Sequence, residues 1–435
     1  MKDFIIKGCF LDSDGPERIR VVENGVLPVI GGVCQGVFPV LPERFQRLPV
    51  TDYGERLIIP GMTDLHLHAP QFAFRGLGMD MELLDWLNTY TFPEEAKYAD
   101  LSYAERAYRG FVDALLHSAT TRAAIFATVH PAATLGLMEQ LERSGLRTFV
   151  GKVSMDRNCP DSVREPDLET ALRNTEQWIQ EACSRFARTK PILTPRFIPT
   201  CSDALMEGLR ALQVRYQLPV QSHLSENFGE IAWVRELSPA AACYGDAYHR
   251  FGLFGADHPC IMAHCVHSSE EELELIHQNG VFIAHSPESN MNLASGVAPV
   301  SRYLELGLRV GLATDVAGGS SLSMLRAMTH AIQASKLRWR LLDHSVRPLS
   351  FEQAFYLATV GGGAFFGKVG RFAEGYDFDA IVLDDSNLFH PQPLDPCSRL
   401  ERAVYLSDDR NIVAKYVAGK QIFCVSSCLS GKIEV

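Results

Sequence analysis

The chain has 435 residues, 46% of them hydrophobic and 21% charged, which is the composition of a soluble globular protein with a large core. Its formal net charge is -11, from 52 acidic against 41 basic residues. With no block of Lys and Arg, this argues against a DNA or RNA partner and for a small molecule.

The N-terminal stretch MKDFIIKGCFLDSDG has a short apolar run broken by charge, so neither a signal peptide nor an anchor is expected. No apolar run reaches about 18 residues, so no transmembrane helix is expected either. Residues 1–60 read as short strands (FIIKGCFL, IRVVENGVLPVI, VCQGVFPVL) with Asp-Gly, Asn-Gly and Gly-Gly turn signals between them. Residues 371–435 read the same way, through RFAEGYDFDAIVLDD, NIVAKYVAGKQIF and CLSGKIEV. Two β-rich ends around a different middle predict one composite β-sandwich domain, 1–60 with 371–435, beside a larger domain at 61–370.

The middle alternates short apolar runs with amphipathic stretches. The runs at 57–68, 121–129, 146–154, 191–196, 219–223, 260–264, 281–285 and 309–315 have the character of buried parallel strands. Helices are expected between them, including 99–118, 168–188, 202–216 and 269–278. Eight βα units over this length predict an α/β fold of the (β/α)8 TIM-barrel type. A doubly wound sheet would need a Gly-rich phosphate loop after an early strand, and the sequence has none.

What ends these strands carries the chemistry. The first run ends in His66-x-His68, whose side chains share one face of a strand. Strand five ends in His223, strand six in His264 and strand eight in Asp315. Active sites of such barrels lie at the C-terminal strand ends, so the five side chains converge. Imidazoles and a carboxylate suit zinc or iron(II) with a place left for water. Glu226, three residues after His223, stands at the rim of that site, where a carboxyl can take a proton from water and pass it to a substrate nitrogen. The bland alternative is a carboxylate in the first turn of a helix at 226–237. His130, His267 and His285 also fall near strand ends and read as hydrogen-bonded structural histidines.

The segments PGMTDLHLHAPQ, LLDWLNTYTFPEE, GKVSMDRNCPD, TPRFIPTCS, SHLSENFGEIAWV, MAHCVH and ATDVAGGSSLSML resemble the amidohydrolase superfamily and, within it, the guanine deaminases. The resemblance spans nearly the whole chain. It implies a metal-dependent hydrolase barrel and one zinc held by His66, His68, His223 and Asp315, with His264 beside the bound water. It further implies Glu226 as proton shuttle, Asp315 as base toward the water, and purine contacts from Gln71, Arg196 and Phe197. The implied reaction is attack of hydroxide on C2 of guanine, giving xanthine and ammonia, in a cytoplasmic homodimer of purine catabolism.

An amide and a guanidinium can read the edge of guanine, and a phenyl ring can stack on its face. The competing reading of Arg196 is a surface ion pair. One departure is the Ser286-Pro-Glu288 stretch, where relatives commonly have Cys and then a small or amide residue; an added carboxylate there either tunes substrate preference or faces solvent.

Three rivals are weighed. Cyclic-amide hydrolases bridge two metals with a carboxylated Lys at the end of strand four. Here that place is Pro195-Arg196 and Lys190 lies at the strand's start, which favours one metal. Deaminases of pterin, triazine, cytosine or adenosine type share the metal set and differ at the HAPQ and PRF segments. A non-catalytic scaffold would have lost ligands that this chain keeps. The H-x-E and P-C-x-x-C pattern of nucleic-acid deaminases is absent. Eleven scattered cysteines with no C-x-x-C pair argue against a disulfide framework and for reduced thiols in the cytoplasm.

Overall fold

The computed structural model describes residues 2–425, so the expected strand CLSGKIEV lies outside the described residues. From the N-terminus run β1 (Phe4–Gly15), β2 (Arg18–Ile30), β3 (Val33–Cys34) and β4 (Val50–Pro60). The barrel strands follow: β5 (Met62–His68), β6 (Thr120–Phe126), β7 (Arg147–Gly151) with its extension β8 (Val153–Ser154), and β9 (Thr189–Pro191) with β10 (Thr194–Pro195). β11 (Val220–Leu224), β12 (Cys260–His264), β13 (Phe282–His285) and β14 (Arg309–Leu312) complete the set. β15 (Ala380–Leu383), β16 (Ile412–Val417) and β17 (Lys420–Cys424) close the described chain.

Parallel pairing runs β5-β6-β7-β9 and β11-β12-β13-β14. Backbone bonds join the two halves. Leu193 N–H reaches the Pro219 carbonyl at 3.0 Å and Gln221 N–H the Leu193 carbonyl at 2.9 Å. On the other side, Asp315 N–H donates to the His66 carbonyl and His68 N–H to the Val316 carbonyl, both at 2.9 Å. The eight strand positions thus close into a TIM-type barrel. Leu65, Ala124, Ile192, Ile261, Ala263, Phe282 and Ala313 fill the interior, with Phe365 joining them. Helices such as Leu101–His117, Leu168–Arg185, Asp203–Tyr216 and Glu270–Asn279 form the outer layer, each capped by an Asp or Ser side chain.

Strands from both ends of the chain form one seven-stranded sheet in the order β17-β16-β15-β4-β1-β2-β3. The sequence predicts a sandwich of facing sheets; among the described residues the hydrogen bonding is continuous, because β4 pairs with β1 on one side and β15 on the other. The sheet nonetheless folds over its own core. The rings of Phe4 on β1 and Tyr416 on β16 stack at 5.9 Å, although two strands lie between them and flat strands sit about 4.8 Å apart. The opposite face packs Leu11, Leu57, Ile59, Ile381 and Leu383 into the barrel's main core.

Two sequence expectations shift. Leu57–Pro60 belongs to the sheet rather than to the first barrel strand, and the chain passes from one to the other at Gly61. A Cβ there would stand 2.3 Å from the Thr121 side chain, so only glycine fits. Asn24-Gly25 is not a turn but a bulge inside β2, with Asn24 at φ 49 and a register shift opposite Gly8 and Phe10.

Candidate active site

His66 and His68 leave β5 on the same face, and their rings stand 4.8 Å apart. His66 lies 4.8 Å from the ring of His223 and 5.5 Å from that of His264. Asp315 Oδ1 is 3.2 Å from His66 Nε2 and 3.5 Å from His68 Nε2, and its Oδ2 is 3.7 Å from His264 Nε2. His66 with His223 and His264, and His66 with His68 and Asp315, present donor atoms all within 4.8 Å of one another. The five residues placed together by strand order do meet.

Tautomers are set from behind. The Nδ1–H of His223 donates to the Arg196 carbonyl at 2.6 Å, which turns its Nε2 lone pair to the centre. That of His264 donates to Asn290 Oδ1 at 2.9 Å, and against the pull of burial the Glu226 and Asp315 carboxylates beside its Nε2 raise it above the ordinary imidazole range, which favours an N–H there. Burial pulls His66, His68 and His223 below the ordinary imidazole range, so they stand neutral, as ligands must. Both ring nitrogens of His66 and Nδ1 of His68 are buried without a hydrogen-bond partner among the described residues. Burial alone would raise Asp315, but the imidazoles of His66 and His264 hold its carboxyl down to about 2. Orphaned nitrogens beside an ionised carboxylate form a donor set that fits one divalent ion of the zinc or iron(II) class.

Strain concentrates at the same strand ends. Asp315 (φ 47), His264 (φ 74), Cys265 (φ 50) and Ser225 (φ 47) all adopt the left-handed region, which costs about 1–3 kcal/mol each for such residues. Buried Asp64 holds the Asp315 turn by accepting from Thr314 N–H at 3.0 Å and from its hydroxyl at 2.5 Å.

Glu226 lies before the helix Phe228–Leu237, not within it. Asn227 is the cap, and Glu230 makes the reciprocal capping bond, so the helix-terminus reading of Glu226 does not hold. Its Oε2 is 3.4 Å from His264 Nε2 and its Oε1 accepts from the Ser295 hydroxyl at 3.0 Å. Burial pushes its carboxyl up to about 7, near where a proton carrier works best.

A small cavity opens onto these groups. Gln71, Arg196, Phe197, Trp86, Leu83, Leu87, Leu293 and Gly318 share its walls with His68, His223, Glu226, Glu230, His264 and Asp315. Arg196 is not in a surface ion pair: it is buried and bonded to Glu95 Oε2 at 2.7 Å. Phe197 meets Trp233 edge-on at 6.4 Å.

Glu288 is absent from these walls. It accepts from the Ser320 hydroxyl at 2.5 Å and faces His330 Nδ1 at 3.6 Å. His267 stacks on Phe228 and bonds the Ser295 carbonyl, as expected of a structural histidine. His130, in contrast, only occupies the N-cap position of the helix Pro131–Ser144: its side chain makes no capping bond and its Nε2 is buried without a partner among the described residues. His285 is buried at the end of β13, where burial holds it down to about 3, and its Nδ1 has no hydrogen-bond partner among the described residues, contrary to the reading of a hydrogen-bonded histidine.

Sequence reasoning missed Phe126, whose ring lies 4.6–4.9 Å from those of His66, His68 and His223 and packs against the histidine cluster. Its place at the end of β6 was the available signal. Glu95 and Asn290 gave none, because they act through side chains distant in sequence.

Residues 57–422 match the model of the Amidohydrolase family. Guanine deaminase of Dictyostelium discoideum is 39% identical over 383 residues, covering 86% of this chain and 84% of that protein. Guanine deaminase of Escherichia coli is 34% identical over 439 residues, covering 96% and 97%. A crystal structure of guanine deaminase from C. acetobutylicum, with guanine bound in its active site, superimposes with a TM-score of 0.94 at 47% identity, covering 97% of this chain and 100% of that one. With the strand-end ligands, the barrel and these relatives in agreement, the chain belongs to the amidohydrolase family.

Proposed function

We propose that the chain hydrolyses guanine to xanthine and ammonia, and that His66, His68, His223 and Asp315 hold one zinc ion for the purpose. The observation that carries this reading is one cavity whose floor is the His/Asp cluster with Glu226 and whose wall carries Gln71, Arg196 and Phe197. The relatives named guanine deaminase support the substrate.

When bound, zinc supplies a water acidified to a pKa of about 7 and polarises the group under attack. Glu226 takes a proton from the attacking water and delivers it to the ring nitrogen beside C2. It then carries the next proton to the departing amine. Asp315, ionised at neutral pH, accepts hydrogen from the same water, and His264 holds the developing oxyanion by its Nε2 edge. Phe197 supplies a flat apolar wall for the purine, while Gln71 and Arg196 direct N–H groups to its carbonyl and ring nitrogens.

The reading extends to a division at 60/61 and 370/371 between composite β domain and barrel, supported by the passage from β4 of the sheet to β5 of the barrel at Gly61. It also extends to a cytoplasmic homodimer, supported by nine free cysteines, from Cys9 to Cys397, among the described residues and by the family resemblance. Among the described residues no helix is long and apolar enough to cross a membrane.

The test is ammonia release and ultraviolet change on zinc-loaded protein with guanine, cytosine, adenine, adenosine, a pterin and a triazine in parallel. Fast turnover of guanine alone is expected. Turnover of another ring alone would keep the metal cluster and overturn the wall assignments.

A further inference from the structure

The short helix Phe92–Ala96 places Phe92 and Glu95 three residues apart, on one face beneath the cavity. Glu95 is 1% exposed, and its two oxygens are divided between two side chains of the cavity wall. Oε1 accepts from Gln71 Nε2 at 3.0 Å and Oε2 from the Arg196 guanidinium at 2.7 Å. The Arg196 guanidinium carbon also stands 5.1 Å from the centre of the Phe92 ring. At its other end the Gln71 amide oxygen accepts from Ala317 N–H at 3.3 Å.

These contacts decide what the wall can read. A primary amide has two N–H groups and two lone pairs. With one of each committed, Gln71 cannot flip and keeps one donor and one acceptor for a ring edge. Arg196 keeps free N–H groups, but its charge is balanced at contact distance by a buried carboxylate. The pair is therefore polar and close to neutral.

We propose that Glu95 is a positioning residue that fixes the donor–acceptor order of Gln71 and cancels the charge of Arg196, so that the cavity favours a neutral heterocycle over an anionic one. This rests on the reading of Gln71 and Arg196 as purine contacts. Its consequence falls on product release. Hydrolysis replaces the amine of guanine by a second carbonyl, which delocalises negative charge and makes the product the easier of the two to deprotonate. A wall with no net positive charge does not retain that anion. Without Glu95 the buried guanidinium would be unpaired, and an anion would be its best partner.

The experiment uses full-length zinc-loaded protein as wild type, Glu95→Gln, Glu95→Asp and Gln71→Ala. It measures KM and kcat for guanine and the inhibition constant of xanthine, in neutral and mildly alkaline buffer. Glu95→Gln should raise KM for guanine about tenfold or more, with a smaller fall in kcat. Xanthine should inhibit it more tightly than wild type, most of all in alkaline buffer. Glu95→Asp keeps the charge but not the reach, so KM should rise while xanthine inhibition stays near wild type.

Damage to the fold would weaken guanine and xanthine together, and a parallel loss in either Glu95 variant overturns the proposal. If Glu95→Gln proves insoluble, the Glu95→Asp pattern decides. An unchanged KM in Gln71→Ala would sink the underlying wall assignment. A raised KM there, without opposite movements in Glu95→Gln, would sink the role of Glu95 alone.

Discussion

At the sheet-facing end of the barrel, Arg122 is 3% exposed and paired with two carboxylates, with Nε on Asp379 at 2.6 Å and Nη2 on Asp377 at 2.7 Å. Lys415, also buried, donates to the carbonyls of Leu115 and Thr120 at 3.1 and 2.9 Å. At the mouth, both ring nitrogens of His66 are buried without a hydrogen-bond partner among the described residues, and carboxylates crowd imidazoles at 3.2–3.7 Å. Both ends bury charge, but one satisfies it internally and the other leaves lone pairs for an ion. Burial of polar groups does not by itself distinguish these two ends; the way their buried charges are partnered does.

The strongest way to break this comparison is to remove what the mouth is built to hold. Chelation should abolish ammonia release, and zinc should restore it, with metal analysis returning one ion per chain. Activity that survives in demonstrably metal-free protein would refute the assignment of His66, His68, His223 and Asp315. Next is Glu226→Gln, expected to keep the ion and to lower kcat by about 10²–10⁴-fold, the usual share of general acid–base catalysis. Near wild-type turnover would exclude the shuttle role.

The opposite end should respond in stability rather than in rate. Arg122→Met leaves Asp379 buried and unpaired, and breaking such a pair costs about 3–5 kcal/mol. Denaturant unfolding should show that loss, while kcat/KM of the folded protein stays close to wild type. A rate loss at full stability would merge the two ends functionally.

The effect that is smallest per step is a slope. Burial holds Lys415 down to about 7 from the ordinary 10.5. Between those values the unfolded chain binds more protons than the folded one, so this lysine makes stability rise with pH, by at most about 1.4 kcal/mol per unit. The difference between wild type and Lys415→Met, followed across that window, should show the rise; a flat difference would mean that the amine is not desolvated.

Much of the mouth was legible in the sequence because barrel strands are short apolar runs and their last residues project to one side. That logic found His66, His68, His223, His264 and Asp315 without coordinates. It failed where local pattern and tertiary role part. Leu57–Pro60 is as apolar as a barrel strand but pairs in the sheet. Asn24-Gly25 has turn chemistry but sits in a bulge. Glu95 reads as a helix carboxylate like its neighbour Glu94, and its meaning comes from partners 24 and 101 residues away. No periodicity encodes contacts of that kind.

The hand-over at Gly61 also bears on how the protein comes off the ribosome. The strand that carries His66 and His68 continues from β4, and β4 gains its second neighbour, β15, only when residues 380–383 have been made. Through most of synthesis, therefore, the strand that carries His66 and His68 is tethered to a sheet with one edge open. Pairings this distant in sequence form late and leave nascent strands exposed meanwhile. A strand made late, β15, thus completes the support of the strand that carries His66 and His68.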